Sequence, residues 1–191
     1  MENTNDVRKR LISEGIRILS DEGSEKLSLR RVAQSCGVSC AAPYKHFRDK
    51  TDFILCVVDT VNQEWFDRQA QALNSLGNDV DEQLRIVCKE YLRFLWEHPS
   101  FCAIITQRDE STGKWHIHRL FDQSTLTQKL IRQYAEKYRL STDETFRRTY
   151  VIRAIIYGAA MMTQLDGMQL DEGTLLSLYA AIDAQFVNSS T

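Results

Sequence analysis

Between Ser28 and Lys50 the chain reads SLRRVAQSCGVSCAAPYKHFRDK, an order that few backbones accommodate. Leu29, Val32, Ala33 and Cys36 recur at i, i+3, i+4 and i+7, which is one apolar face of a helix. Ser28 precedes that face and is placed to cap its first N–H groups. Gly37 stands where the chain must turn sharply, and without a Cβ it reaches positive φ at no steric cost. Val38 fills the corner. Ser39 is placed to cap a second short helix, which Tyr44, Lys45, His46 and Phe47 complete. Two helices joined by a short turn containing glycine form a helix-turn-helix, the motif that sets its second helix in the major groove of DNA.

The flanking periodicity predicts more helices. The first runs from about Asp6 to Asp21, with Leu11, Ile12, Gly15, Ile16 and Leu19 as its buried stripe and Gly23 as its end. Asp49 is placed to cap a helix from Lys50 to about Leu73, followed by a loop at Gly77. Leu84, Val87, Cys88, Tyr91, Leu92 and Leu95 mark the next, which His98-Pro99 breaks because the residue before proline resists the α region. A short helix from Ser100 to about Arg108, a polar loop, and a helix carrying Leu120, Phe121, Leu126, Leu130, Ile131 and Tyr134 follow. Another helix opens at Ser141-Thr142-Asp143 and reaches about Leu165, and the last spans about Glu172 to Phe186. There is no repeat, no low-complexity tract and no convincing strand. The fold class is therefore all-α: a three-helix helix-turn-helix domain over residues 1–50 and a helical bundle over residues 51–191.

Composition narrows the function classes. Residues 1–50 hold ten Lys and Arg against seven Asp and Glu, while residues 51–191 hold fourteen against nineteen. A basic unit on an acidic body suits a local DNA-contacting face. No apolar run approaches the ~18 residues of a membrane span, and Met1–Asp6 is polar, so neither membrane insertion nor secretion is expected. Five irregularly spaced cysteines favour a reducing, cytoplasmic setting over a disulfide framework. Cys36 and Cys40 with His46 lack the second pair of a zinc site, and His116 and His118 at i, i+2 point apart on a helix, so no metal is expected. Cys40 is a candidate oxidation site. No phosphate loop or nucleophile elbow occurs, and no cofactor is expected.

The run GVS, then Tyr44, His46 and Phe47 at fixed spacing, then DKTD, resembles the N-terminal domain of TetR-type transcriptional regulators. Gly37, Val38, Ser39, Tyr44, His46, Phe47 and Lys50 carry the likeness, over roughly the first quarter of the chain. Pro43 departs from it, standing where that family usually has an aliphatic residue; proline is tolerable near the start of a short helix. The resemblance implies a ligand-responsive regulator, repression being the commoner behaviour, that binds a palindromic operator as a homodimer through its last two helices. A helical-bundle enzyme and a ligand-independent DNA-binding protein are the alternatives.

The candidate DNA contacts follow from side-chain chemistry. Tyr44 and Lys50 are placed for phosphate oxygens, as are Ser28 and the N–H groups behind it. Ser39, Cys40, Ala41, Ala42 and Lys45 are the candidate base readers, since small side chains permit close approach and alanine methyls can touch a thymine methyl. Arg30 and His46 complete the set. A small, neutral or weakly charged hydrophobic effector is expected among Trp65, Cys88, Trp96, Phe101, Ile105, Trp115, Phe121, Tyr157, Met161 and Gln164, with His116 and His118 as further polar candidates. Taken singly, each of these residues is more often ordinary core. The segment from Tyr150 to Leu165 is apolar on nearly all sides and must be buried on all of them, either in a core or against a second subunit.

Overall fold

The structure, a computed structural model, describes residues 4–23, 26–74, 76–98, 125–162 and 171–186. Among them are seven α-helices and no strand: α1 (Thr4–Glu22), α2 (Leu29–Ser35), α3 (Lys50–Asn74), α4 (Val80–Glu97), α5 (Thr125–Lys137), α6 (Thr142–Met162) and α7 (Glu172–Asp183). The expected helix at residues 100–108 and the polar loop after it lie outside the described residues. The residues up to Glu64 form one compact unit, and the described residues from Trp65 onward form another.

In the first unit, Gly23 ends α1 at φ +81°. Leu11, Ile12, Ile18 and Leu19 are the buried stripe of α1, and Ile16 is only half-buried. The stripe therefore follows the 11, 15, 18, 19 row of the helix rather than including Ile16. Gly15 lies on that row, where a Cβ would stand 2.4 Å from Phe53 Cζ and 2.7 Å from Cε1. Phe53 in turn meets Phe47 edge-on, with centroids 4.8 Å apart. Leu27, Val32, Val57 and Val58 complete this core. The Asp52 N–H donates to Asp49 Oδ1 at 2.8 Å, the cap expected for α3.

In the second unit, α4 is the hub, packing on α5, α6 and α7. Its apolar face supplies Leu84, Val87, Cys88, Tyr91, Leu92, Phe94 and Leu95 to the core. Trp65 packs against Tyr91 at 4.6 Å and Phe94 at 5.7 Å between centroids. Polar clamps edge the same helix. Arg68 of α3 binds Glu90 and Glu97. Lys89 Nζ lies 2.6 Å from Asp183, which Arg85 shares while its guanidinium stacks on Phe186 at 4.4 Å. Asp81, buried, accepts from Lys137 Nζ at 2.8 Å and from the Tyr138 hydroxyl.

Two expectations need correction. Helix α7 ends at Asp183, and Phe186 instead folds back in a turn to meet Tyr134 edge-on at 5.3 Å. Helix α6 is not buried all round within the protomer. Ile156, Ala159 and Ala160 are covered, but Phe146, Tyr150, Val151, Met161 and Met162 are exposed. A Cβ at Gly158 would meet nothing within 4 Å, so the close approach expected there is not made by this chain. The α6 sequence carries more apolar surface than α4 and α7, the elements packed on it, cover.

Gly15→Ala should gain roughly 1 kcal/mol of helix propensity but force the packed Phe53 ring out of place, an overpacking cost of about 1–3 kcal/mol. We expect a lower melting temperature, read by circular dichroism; an unchanged or higher one would mean that α1 and α3 do not approach this closely.

The carboxylates of Asp52, in the first turn of α3, and of the caps Asp79 and Asp171 are held below the usual carboxylate range, first by the backbone N–H groups of Arg48, Asp81 and Thr174 respectively. A depressed folded-state value means stability that is present above the unfolded pKa and lost as pH falls through the lower folded one. Melting temperature should stay level from neutrality down to about pH 5 and fall below about pH 4. In Asp171→Asn, which keeps a cap without a charge, the acid decline should be shallower.

Candidate nucleic-acid interface

Helix α2 begins where the Arg31 N–H donates to Ser28 Oγ at 3.2 Å. It ends in a Schellman arrangement: the Val38 N–H donates to the Ala33 carbonyl at 3.0 Å and the Gly37 N–H to that of Gln34 at 3.1 Å, with Gly37 at φ +69°. The end is clamped from α1, whose Arg10 Nη2 donates to the Cys36 carbonyl at 3.0 Å. Cys36 Sγ donates back to the Arg10 carbonyl at 3.6 Å, and burial raises the thiol pKa. Sequence reading did not single out Arg10, because nothing local shows that α1 passes the end of α2.

The second helix of the motif is shorter than expected. Residues 39–42 form a turn and only Pro43–Lys45 is helical, as a 3-10 turn. The Ala42 N–H donates to the Ser39 carbonyl, the Lys45 N–H to Ala42 and the His46 N–H to Pro43, all i to i−3. Ala42, not Ser39, is the N-cap, and no side chain caps it. Pro43 has no N–H to give to the Ser39 carbonyl, so the i to i−4 ladder cannot start there. Pro43 and Phe47 are buried and hold the segment down at both ends.

The candidate contacts differ in exposure. Ser28, Arg30, Ser39, Cys40, Ala41 and Lys45 are exposed, and Ala42, His46 and Lys50 are half-buried. Tyr44 is 61% exposed. The neighbouring cations divide into two groups. Arg17 is paired with Glu14 and Asp21, Arg31 with Glu22, and Arg48 with Asp52. Arg30 and Lys45 have no acidic partner among the described residues.

The model of bacterial regulatory proteins of the tetR family matches residues 11–57, spanning this entire motif. Over these residues the chain is similar to the DNA-binding domain of TetR-type regulators. It is 27% identical over 145 residues to the nucleoid occlusion factor SlmA of Escherichia coli, covering 70% of each chain. A TetR family transcription regulator from Marinobacter aquaeolei superposes with a TM-score of 0.76 at 16% identity, covering 97% of this chain and 98% of the other. AibR, solved in complex with isovaleryl coenzyme A and operator DNA, superposes at 0.72 with 14% identity, covering 92% and 97%. These two structures share the fold across both units.

The residues expected around an effector are placed less uniformly. Trp65 and Cys88 are buried, and burial pushes the Cys88 thiol up to about 12, so it stays un-ionised. Trp96 and Tyr157 are half-buried, and Met161 is exposed at the surface of the protomer. Phe101, Ile105, Trp115, Phe121 and Gln164, with His116 and His118, lie outside the described residues. Among the described residues no three acidic, histidine or cysteine side chains cluster as metal ligands would, and no helix is long and apolar enough to cross a membrane.

Lys50→Ala and Tyr44→Phe should weaken binding to every duplex by a similar factor, and losing the Lys50 contact should lower the slope of log affinity against log salt by roughly 1. Lys45→Ala should instead change the ranking of sequences. Fluorescence anisotropy titrations over a salt series separate these outcomes, and a Lys50→Ala slope equal to that of wild type would remove Lys50 from the phosphate contacts.

Proposed function

We propose that the chain is an effector-responsive transcriptional repressor acting in the cytoplasm, binding a palindromic operator as a homodimer. Residues 1–50 read DNA; residues 51–191 dimerise and receive a small hydrophobic effector. The observation that carries the DNA-reading half is the exposed row Ser39–Ala41, Tyr44 and Lys45, backed by Arg30 with its charge unspent on the protein. The likeness to AibR, whose structure holds both an acyl-coenzyme A and operator DNA, supports an effector-linked switch.

The dimer is supported by surface that one protomer leaves bare. Phe146 is 67% and Tyr150 65% exposed, their rings 6.1 Å apart on one face of α6, and Leu176 of α7 is exposed as well. Neighbouring exposed apolar side chains on long helices mark an interaction surface, and a two-fold partner presents the same patch in return. A ligand that prefers one spacing of the two reading heads then shifts the population toward it, and DNA affinity changes with it.

Selection from random duplex DNA should return an inverted repeat whose half-sites lie about one helical turn apart, ~34–36 Å, or a multiple of it. Tyr150→Glu should yield folded monomers with much weaker operator binding in sedimentation and anisotropy experiments. Ile182 and Ala159 are buried inside the protomer, so charges there report on folding instead. No enriched sequence in any condition, or a wild-type monomer at micromolar concentration, would overturn the proposal.

A further inference from the structure

Three polar or charged side chains are buried among the described residues: Asn62, Gln69 and Asp81. Gln69 donates to Thr127 Oγ1 at 2.7 Å, and Asp81 accepts from Lys137 and Tyr138. Asn62 differs. It is 2% exposed, and among the described residues neither its Nδ2 nor its Oδ1 has a hydrogen-bond partner. A buried amide that has given up water and gained nothing destabilises the state that holds it. Packing does not explain its presence, since Asn62 sits on α3 among Val58 and Val61, both buried, where a leucine would serve the core better.

We propose that Asn62 is the polar recognition residue for an effector bearing a neutral amide-type group, a carboxamide or lactam. The proposal rests on the reading of the chain as an effector-responsive regulator and names the effector's chemistry. The side chain offers two N–H donors and a carbonyl acceptor on one planar group. A carboxamide or lactam answers with an acceptor and a donor side by side, so both orphaned atoms are satisfied together. An ionised carboxylate only accepts and would set its charge against Oδ1. An ammonium only donates. A hydroxyl presents one atom and serves one of the two at a time. No cationic side chain is buried among the described residues to neutralise an anionic guest.

The position also connects to the DNA face. Asn62 belongs to the first unit and to the helix that begins with Lys50, twelve residues earlier, about 18 Å along the axis. A guest held by Asn62 therefore acts on the same rigid element that carries a phosphate contact. Binding that prefers one placement of this helix changes operator affinity, and operator changes guest affinity by the same factor.

The test uses the full chain and three amide probes, hexanamide, benzamide and caprolactam, against hexanoate, benzoate and hexan-1-ol at equal concentration. Thermal melts and anisotropy on the selected operator are the readouts. At least one amide should raise the melting temperature and weaken operator binding, while the acids and the alcohol do neither. Asn62→Leu should melt higher than wild type without ligand, bind operator unchanged and lose the amide response; Asn62→Val provides the same reading should the leucine misfold. The proposal is overturned if no amide exceeds its matched acid and alcohol, if the amide shift survives both substitutions, or if both variants melt lower than wild type while the operator response to amide persists. Absence of operator binding by wild type would sink the regulator reading alone, because an amide-selective melt abolished in Asn62→Leu would still establish the site.

Discussion

Phe53 holds the DNA-reading unit together. Its ring lies where the missing side chain of Gly15 leaves room, and its edge meets Phe47. Gly15 belongs to α1, Phe47 closes the reading segment, and Phe53 stands one turn into α3. A single buried ring thus ties three parts of the chain that share no backbone hydrogen bonding. Between Pro43 and Phe47 the segment's own backbone bonds are the i to i−3 bond from His46 and the i to i−4 bond from Phe47, both to the Pro43 carbonyl, too few to be stable alone. Its geometry is borrowed from the core beneath it, which is why so short an element can present Tyr44 and Lys45 in defined positions.

In the second unit the hub is α4, and its energetics are divided by face. The apolar face makes the core, while Arg85, Lys89 and Asp81 fix the helices that surround it. Most of these ion pairs are partly exposed and each is worth little by itself. Their value lies in register. Asp183 receives two cations from successive turns of α4, and Asp81 receives Lys137 and Tyr138 from the end of α5, so each helix can dock at one height only. The surplus apolar surface of α6 is left outside this arrangement, as a second copy of the chain would require.

Charge is distributed by a similar logic. Most arginines of the first unit are spent on neighbours: Arg17 and Arg31 in ion pairs, Arg48 in a pair with Asp52 and Arg10 at the end of α2. The net basic count of residues 1–50 therefore overstates what a nucleic acid would meet. Arg30 and Lys45 are among the exposed cations of this unit outside those ion pairs, and they lie on the helix-turn-helix.

The order of residues from Ser28 to Lys50 was enough to read the helix-turn-helix, its glycine corner and both caps that flank it, because each depends on atoms a few residues apart. The helical periods of α1, α3, α4, α5, α6 and α7 were equally legible, to within a few residues at their ends. What periodicity could not decide was set by distant contacts. Ile18 rather than Ile16 faces the core because of where α3 crosses α1. Ala42 rather than Ser39 is the N-cap, and the segment from Pro43 to Lys45 is a 3-10 turn over the buried Phe47. Asn62 looked like any polar residue on a long helix until burial showed its amide without a partner. Local hydrogen bonds and spacing are written into neighbouring residues; burial, and which charges remain unspent, depend on side chains many residues away, and those exist as neighbours only once the chain has folded.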